Sequence, residues 1–205
     1  MMGLMTTQPR GPYAKGLARR EEILVSALDV VARAGFHGAS VKEIADEVGL
    51  SQAGLLHYFT SKDELFVEVL RRRDERDNRT FENADDPVEA LLEIVEHNAS
   101  VPGLVELFSR MAVAAADPEH PAHDYFLERG ASLRDSLARA LDSDSEPGTG
   151  TAATTVVPGP APGAATIARL LQAAADGLQL QFLQDPTVDM VAPLRALVDT
   201  LRRRP

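Results

Sequence analysis

There is no cysteine among the 205 residues. That removes disulfides, thiolate metal sites and cysteine nucleophiles together, and it suits a reducing cytoplasm. No apolar run approaches the ~18–20 residues that a bilayer-spanning helix needs. The opening MMGLMTTQPRGPYAKGLARR lacks the apolar core of a signal peptide and reads as a flexible basic arm over residues 1–18. A cytoplasmic protein with no membrane partner is therefore expected. The chain also lacks a glycine-rich phosphate loop, a Gly-x-Ser-x-Gly elbow and a His-Glu-x-x-His pair. Its five histidines, His37, His57, His97, His120 and His123, are scattered. No enzyme and no cofactor is expected. Strand-like alternation and internal repeats are missing as well.

Charge is unevenly distributed. Residues 1–80 hold 12 basic and 12 acidic side chains, whereas residues 81–205 hold 9 and 19 and so carry the whole net charge of −10. Residues 1–20 contain Arg10, Lys15, Arg19 and Arg20 and no acid. Local charge decides what a surface attracts, so the N-terminal third remains a candidate for nucleic acid despite the acidic total.

What is present is helical periodicity in a chain that is 44% hydrophobic, enough for a globular core. Ile23, Leu24, Ala27, Leu28, Val31 and Ala34 form one stripe, closed by Gly35 as a left-handed cap. Ser40 and Glu43 make a capping box for a helix at 40–48, and Gly49-Leu50-Ser51 forms a turn into a helix at 52–58. Ser61 and Glu64 open the next helix, which continues into RRRDERDNR, read as a solvated, ion-paired link. Further helices are expected at about 87–99, 102–116, 121–142, 164–184 and 188–203, with a flexible Pro/Gly-rich loop near 143–165. The expectation is all-α, about nine helices.

The two short helices and their three-residue turn have the dimensions of a helix-turn-helix. Val41, Ile44, Val48, Leu50, Leu55 and Phe59 can pack on the first helix, leaving Gln52, Ala53, His57, Tyr58 and Lys62 outward. Gln pairs with adenine edges, an Ala methyl suits thymine, and His, Tyr and Lys suit phosphates. A three-helix packing unit with a solvated polar face fits the same pattern about as well.

The stretch ILVSALDVVARAGFHGASVKEIADEVGLSQAGLLHYFTSKDELFVEVL, with its combined G-L-S-x-x-x-L, H-Y-F and S-K-x-E-L patterns, resembles the DNA-binding domain of TetR-type transcriptional regulators. The resemblance implies a DNA-binding domain at 19–70 and a helical ligand-binding and dimerisation domain at 71–205. It also implies a homodimer on palindromic operator DNA that lets go when a small-molecule effector binds. Carried onto this chain, it places Ser51, His57, Tyr58 and Lys62 on phosphates and Gln52 and Ala53 on bases. Leu56 departs from the pattern, standing where many members carry a Tyr that touches the DNA backbone. Its remaining roles are packing against DNA sugars or against the first helix. The alternative to a repressor is a small-molecule-binding or protein-interaction module that does not bind an operator.

Beyond residue 70 the residues give three further expectations. An effector pocket is expected to be walled by Leu91, Val95, Leu107, Phe108, Met111, Tyr125 and Phe126, with Gln172, Asp176 and Gln179 as polar groups, although these three fit a solvated stripe or a subunit contact as well. A dimer interface is expected on Ile167, Leu170, Leu171, Ala174 and Leu178 with Leu194, Leu197, Val198 and Leu201, and Pro193 should start or bend the last helix. Both stripes could instead serve the chain's own core. Finally, Glu119-His120-Pro121-Ala122-His123-Asp124 offers metal-type ligands, but a proline-led helix start accounts for it more simply, and no metal is expected.

Overall fold

A computed structural model describes residues 12–84, 86–143 and 163–202. Among these residues the chain forms nine helices and no strand: α1 (Pro12–Gly38), α2 (Val41–Glu47), α3 (Gln52–Leu56), α4 (Lys62–Asn83), α5 (Pro87–Ala99), α6 (Pro102–Ala114), α7 (His123–Ser143), α8 (Ala164–Gln184) and α9 (Val191–Arg202). Residues 12–18, expected in a flexible arm, are therefore helical, because Pro12 supplies a preset φ for a first turn. The rest of the expected arm lies outside the described residues, as does the loop expected near 143–165 apart from its two ends.

Local sequence explains the boundaries. Gly35 takes φ 69 as expected, but its ψ of 179 is extended rather than left-handed, so α1 kinks there and resumes for Phe36–Gly38. Ser40 accepts the Glu43 N–H while the Glu43 carboxylate accepts the Ser40 N–H, completing the capping box. At α4 the reciprocal bond shifts by one residue: Ser61 Oγ accepts the Glu64 N–H, but the Glu64 carboxylate accepts from Thr60. Asp86 caps α5 ahead of Pro87. Asp189 Oδ1 accepts the N–H groups of Val191 and Ala192, so Pro193 falls in the first turn of α9, where its missing N–H costs nothing. Pro121 does not open α7. It sits in the preceding turn, where His120 Nδ1 accepts the Ala122 N–H.

Two hydrophobic clusters build the interior. The first joins Ile23, Ala27, Val31, Ile44, Leu55, Phe59, Leu65, Phe66 and Leu70 to Leu104, Leu107, Phe108, Met111 and Tyr125. Ala34 is exposed, and Val30 takes its place on the stripe. The second joins Val88, Leu91, Leu92 and Val95 to Leu137, Leu171, Leu194 and Val198. Position 70 lies inside α4, and the first cluster continues through it into α6 and α7.

The second cluster corrects the expected dimer surface. Leu171, Leu194 and Val198 are at most 2% exposed within one chain, because α8 and α9 pack their apolar stripes on each other and on α5 and α7. Ile167, Ala174, Leu178, Leu197 and Leu201 are half-buried against the same cluster, and Leu170 alone of the set is largely exposed.

Candidate nucleic-acid interface

The outward face of α3 is fixed by what lies beneath it. Gly49 takes φ 67, which bends the chain between α2 and α3, and the Leu50 N–H bonds to the Ala45 carbonyl at 2.8 Å. Ala45 is 1% exposed, small enough for the close crossing of the two helices. Ser51 caps α3 by accepting the Gly54 N–H at 3.0 Å. Leu55 and Phe59 are buried, and Val41, Val48 and Leu50 pack around them. α3 itself is shorter than its sequence implies. It ends at Leu56, with His57 as its C-cap and Tyr58 in the following turn.

Ser51, Gln52, Ala53, Leu56 and His57 are exposed together. Tyr58 is half-buried, its ring 5.9 Å from that of His57 in edge contact. Lys62, like Tyr58, departs from the expected outward set. Its ammonium lies 5.1 Å from the Phe36 ring and 5.0 Å from the Phe66 ring, so it bridges α1 and α4 as well as facing out. Of the basic residues near the start, Arg19 donates to the Val48 carbonyl, and Arg20 pairs with Glu68 at 3.0 Å while covering Phe59. Both hold the fold of the head.

α6 locks onto α1 where α1 kinks. A Cβ at Gly103 would lie 2.2 Å from the Val31 carbonyl oxygen and 3.0 Å from Gly35 Cα, so only glycine fits. One turn further along α6, Glu106 accepts the Phe36 N–H at 3.1 Å and an Arg110 N–H at 3.0 Å. Phe36 in turn packs on Phe66 of α4. A contiguous set of contacts thus runs from α6 through α1 to the start of α4.

The expected effector walls do not gather around one apolar cavity. Leu107, Phe108, Met111 and Tyr125 belong to the first cluster, with Phe126 packed on it, and Leu91 and Val95 to the second. Between them lies a cavity of about 600 Å³ lined by Asp74, Asp77, Leu91, Tyr125, Arg129 and Leu133, among others. Of the expected walls only Leu91 and Tyr125 reach it. Of the expected polar groups, Gln172 accepts from Arg134 at 2.9 Å, and Gln179 is buried, donating to its own helix at the Ala175 carbonyl. A larger groove of about 840 Å³ between α1, α6 and α8 contains none of the expected residues; Val113 and Leu180 on its rim are 73% and 46% exposed.

The charge beside the smaller cavity was not expected. Within the run 71–79, Arg73 and Asp77 are 2% and 8% exposed. Asp74 accepts from Arg73 at 2.9 Å, from Arg129 at 2.9 Å and from the Tyr125 hydroxyl. Arg73 and Arg129 both stack on Phe108. Burial would raise the Asp74 carboxyl, but Arg129, Arg73 and Tyr125 outweigh it and hold it below its ordinary value. Burial and the Asp74 carboxylate push the Tyr125 phenol well up. Asp176, on α8, is raised by burial, with Arg129 and Arg73 offsetting part of the effect. The signal was available: Phe66, Leu70, Arg73 and Asp77 continue one helical stripe at spacings of four, three and four.

His120 and His123 do not converge. His120 Nε2 lies 3.6 Å from Asp63, and His123 Nδ1 donates to the Ala115 carbonyl at 2.9 Å.

Fold and face together define an all-α protein that presents a helix-turn-helix from a helical body. Residues 23–69 match the family model described as bacterial regulatory proteins, tetR family, and the chain thus carries a TetR-family domain. It is 44% identical over 55 residues to the HTH-type transcriptional regulator RutR of Escherichia coli K12, a match covering 27% of this chain and 26% of RutR. It is 32% identical over 111 residues to the HTH-type transcriptional repressor AcnR of Corynebacterium diphtheriae, covering 54% of this chain and 46% of AcnR. The chain thus spans about a quarter of the first of these relatives and under half of the second. A protein from Saccharomonospora viridis, solved in complex with choline, shares the fold over 92% of this chain and 97% of its own, with a TM-score of 0.67 at 23% identity.

Proposed function

We propose that this protein is a transcriptional repressor that binds palindromic operator DNA as a homodimer and lets go when a small molecule occupies its helical body. One observation carries the reading: Gln52 and Ala53 on a short helix and His57 at its C-cap stand exposed together, while Leu55 and Phe59 are buried beneath them. No acid lies between Ser51 and Lys62, so this face is free of the repulsion that an acidic chain would otherwise present to phosphates. Gln52 and Ala53 then meet bases, and Ser51, His57, Tyr58 and Lys62 meet phosphates. Repression follows the similarity to AcnR. A five-residue reading helix makes few base contacts, so two copies about 34 Å apart are needed, which a symmetric dimer supplies. Leu170, with the half-buried Ile167, Ala174, Leu178, Leu197 and Leu201, remains for that contact on α8 and α9.

The effector belongs in the cavity of about 600 Å³ between the two clusters, where apolar Leu91 and Leu133 face polar Asp77 and Arg129. Choline, bound by the Saccharomonospora viridis relative, is the first compound to try. The test is a mobility-shift titration of the full chain on the DNA upstream of its own gene, at several salt concentrations, with and without candidate effectors. Binding that weakens steeply with salt and keeps a preference over unrelated duplex supports the reading. Equal binding to all duplexes, or none, overturns it in favour of a module that does not read an operator.

A further inference from the structure

Leu56 is 41% exposed and belongs to neither hydrophobic cluster, although its neighbour Leu55 is fully buried. Packing against α1, one of the two roles the sequence left for it, would therefore leave much of the side chain in solvent. It follows Gln52 by four residues and Ala53 by three, so the three side chains share one face of α3. Every other exposed side chain from Ser51 to Thr60 except the Ala53 methyl is polar: Ser51, Gln52, His57 and Thr60. The part of this branched apolar group that stands in water among hydrogen-bonding groups gains nothing in the free protein.

Resting on the operator-binding reading above, we infer that Leu56 is a specificity residue that reads the C5-methyl group of a thymine in the major groove. That methyl is the distinctive apolar feature of an A·T or T·A pair there, and its position across the groove tells the two apart. Gln52 on the same face suits an adenine edge, so the pair together selects an A·T-containing step: the amide bonds to adenine while Leu56 covers a neighbouring thymine methyl. A Tyr hydroxyl at this position would anchor to phosphate and carry no sequence information. A leucine exchanges that anchor for base selection.

The experiment begins with duplexes selected by the full chain from a random-sequence library, which yields a high-affinity probe whatever the natural operator is. Each thymine of the probe is then replaced by deoxyuridine, which removes only the methyl. We expect one symmetry-related thymine pair at which the wild type loses about fourfold in affinity per half-site, the worth of one buried methyl-sized group. Leu56→Ala should lose a similar factor on the thymine probe and be indifferent to uridine at that position, whereas Leu56→Met should keep the discrimination. Ala53→Gly separates the other methyl on the face: uridine sensitivity that vanishes in this variant and persists in Leu56→Ala assigns the contact to Ala53 and overturns the inference. Loss of affinity in Leu56→Ala with no uridine-sensitive thymine also overturns it, leaving a sugar contact. If no duplex is enriched at all, the operator-binding reading itself fails, an outcome distinct from both.

Discussion

The two halves of the molecule bury different chemistry. Up to Leu70 every buried side chain among the described residues is apolar; the four buried polar side chains, Arg73, Asp77, Asn98 and Gln179, all follow it. Up to Leu70, apolar packing around Phe59 and Phe66 holds the short α3 in place without fully burying any charge. The second half encloses an ionic layer against a cavity. Buried charge is weak evidence for stability, since desolvation offsets most of the attraction. Its persistence there fits a region whose arrangement must answer to something that enters.

The largest expected effect comes from breaking the ionic layer. Arg73→Ala leaves Asp74 and Asp77 short of a buried partner and should destabilise the chain by about 3–5 kcal/mol in urea unfolding. The loss should shrink in acid. The Asp74 carboxyl sits below its ordinary value, so its ionised form adds stability that is complete above the ordinary carboxylate range and drains away as pH falls through the folded value. A loss below about 1 kcal/mol would mean that the layer is dispensable and the two halves are alike.

Next is the joint between the halves. Gly103→Ala forces a methyl against the Val31 carbonyl and should cost roughly 1–3 kcal/mol of stability. It should also shift operator affinity, because α6 bears on α1 at that point. Unchanged affinity at reduced stability would show that the halves are packed together without being coupled.

Gln52→Ala should cost about 1–3 kcal/mol of binding to a selected duplex and leave thermal stability untouched, because the side chain is exposed. A parallel fall in Tm would place Gln52 in the scaffold and blur the comparison.

The smallest effect is Asp176→Asn. Burial raises this carboxyl, so the folded chain holds the proton more tightly than the unfolded one, and ionisation removes stability as pH rises through that interval. The amide should therefore raise Tm by roughly 1–2 °C at neutral pH, a gain that fades as pH falls into the ordinary carboxylate range. Melting curves at neutral and acid pH check it.

How much was legible in the sequence follows the same division. The stripe from Ile23 to Val31, the Ser40–Glu43 box and the Gly49 turn could be read because apolar periodicity and capping are local. Even there α3 came out two residues short, since a cap at His57 depends on the turn that follows rather than on α3 itself. In the second half, periodicity located α5 to α9 but not what their faces meet. The stripes of α8 and α9 look alike whether they face a second copy or each other; only the three-dimensional arrangement shows Leu171, Leu194 and Val198 turned inward. Charged residues defeat hydropathy altogether: RRRDERDNR looks solvated because Asp74, which pairs with the buried Arg73, takes its other partners, Tyr125 and Arg129, from α7, more than fifty residues away.

α4 has one more consequence. Asp74, gripped by Tyr125 and Arg129, sits twelve residues beyond Lys62, about 18 Å along the helix axis. That anchor makes a fulcrum, and the stretch before it a rigid arm. A tilt of about 5° there would carry the front of α4, and the turn that joins it to α3, by roughly 1.6 Å, several times the ~0.5 Å window within which an N–H···O bond is made. Because Leu65, Phe66 and Leu70 bind the front of α4 into the first cluster, that cluster would travel with it, and on the operator-binding reading a shift of this size takes the head out of register with a groove.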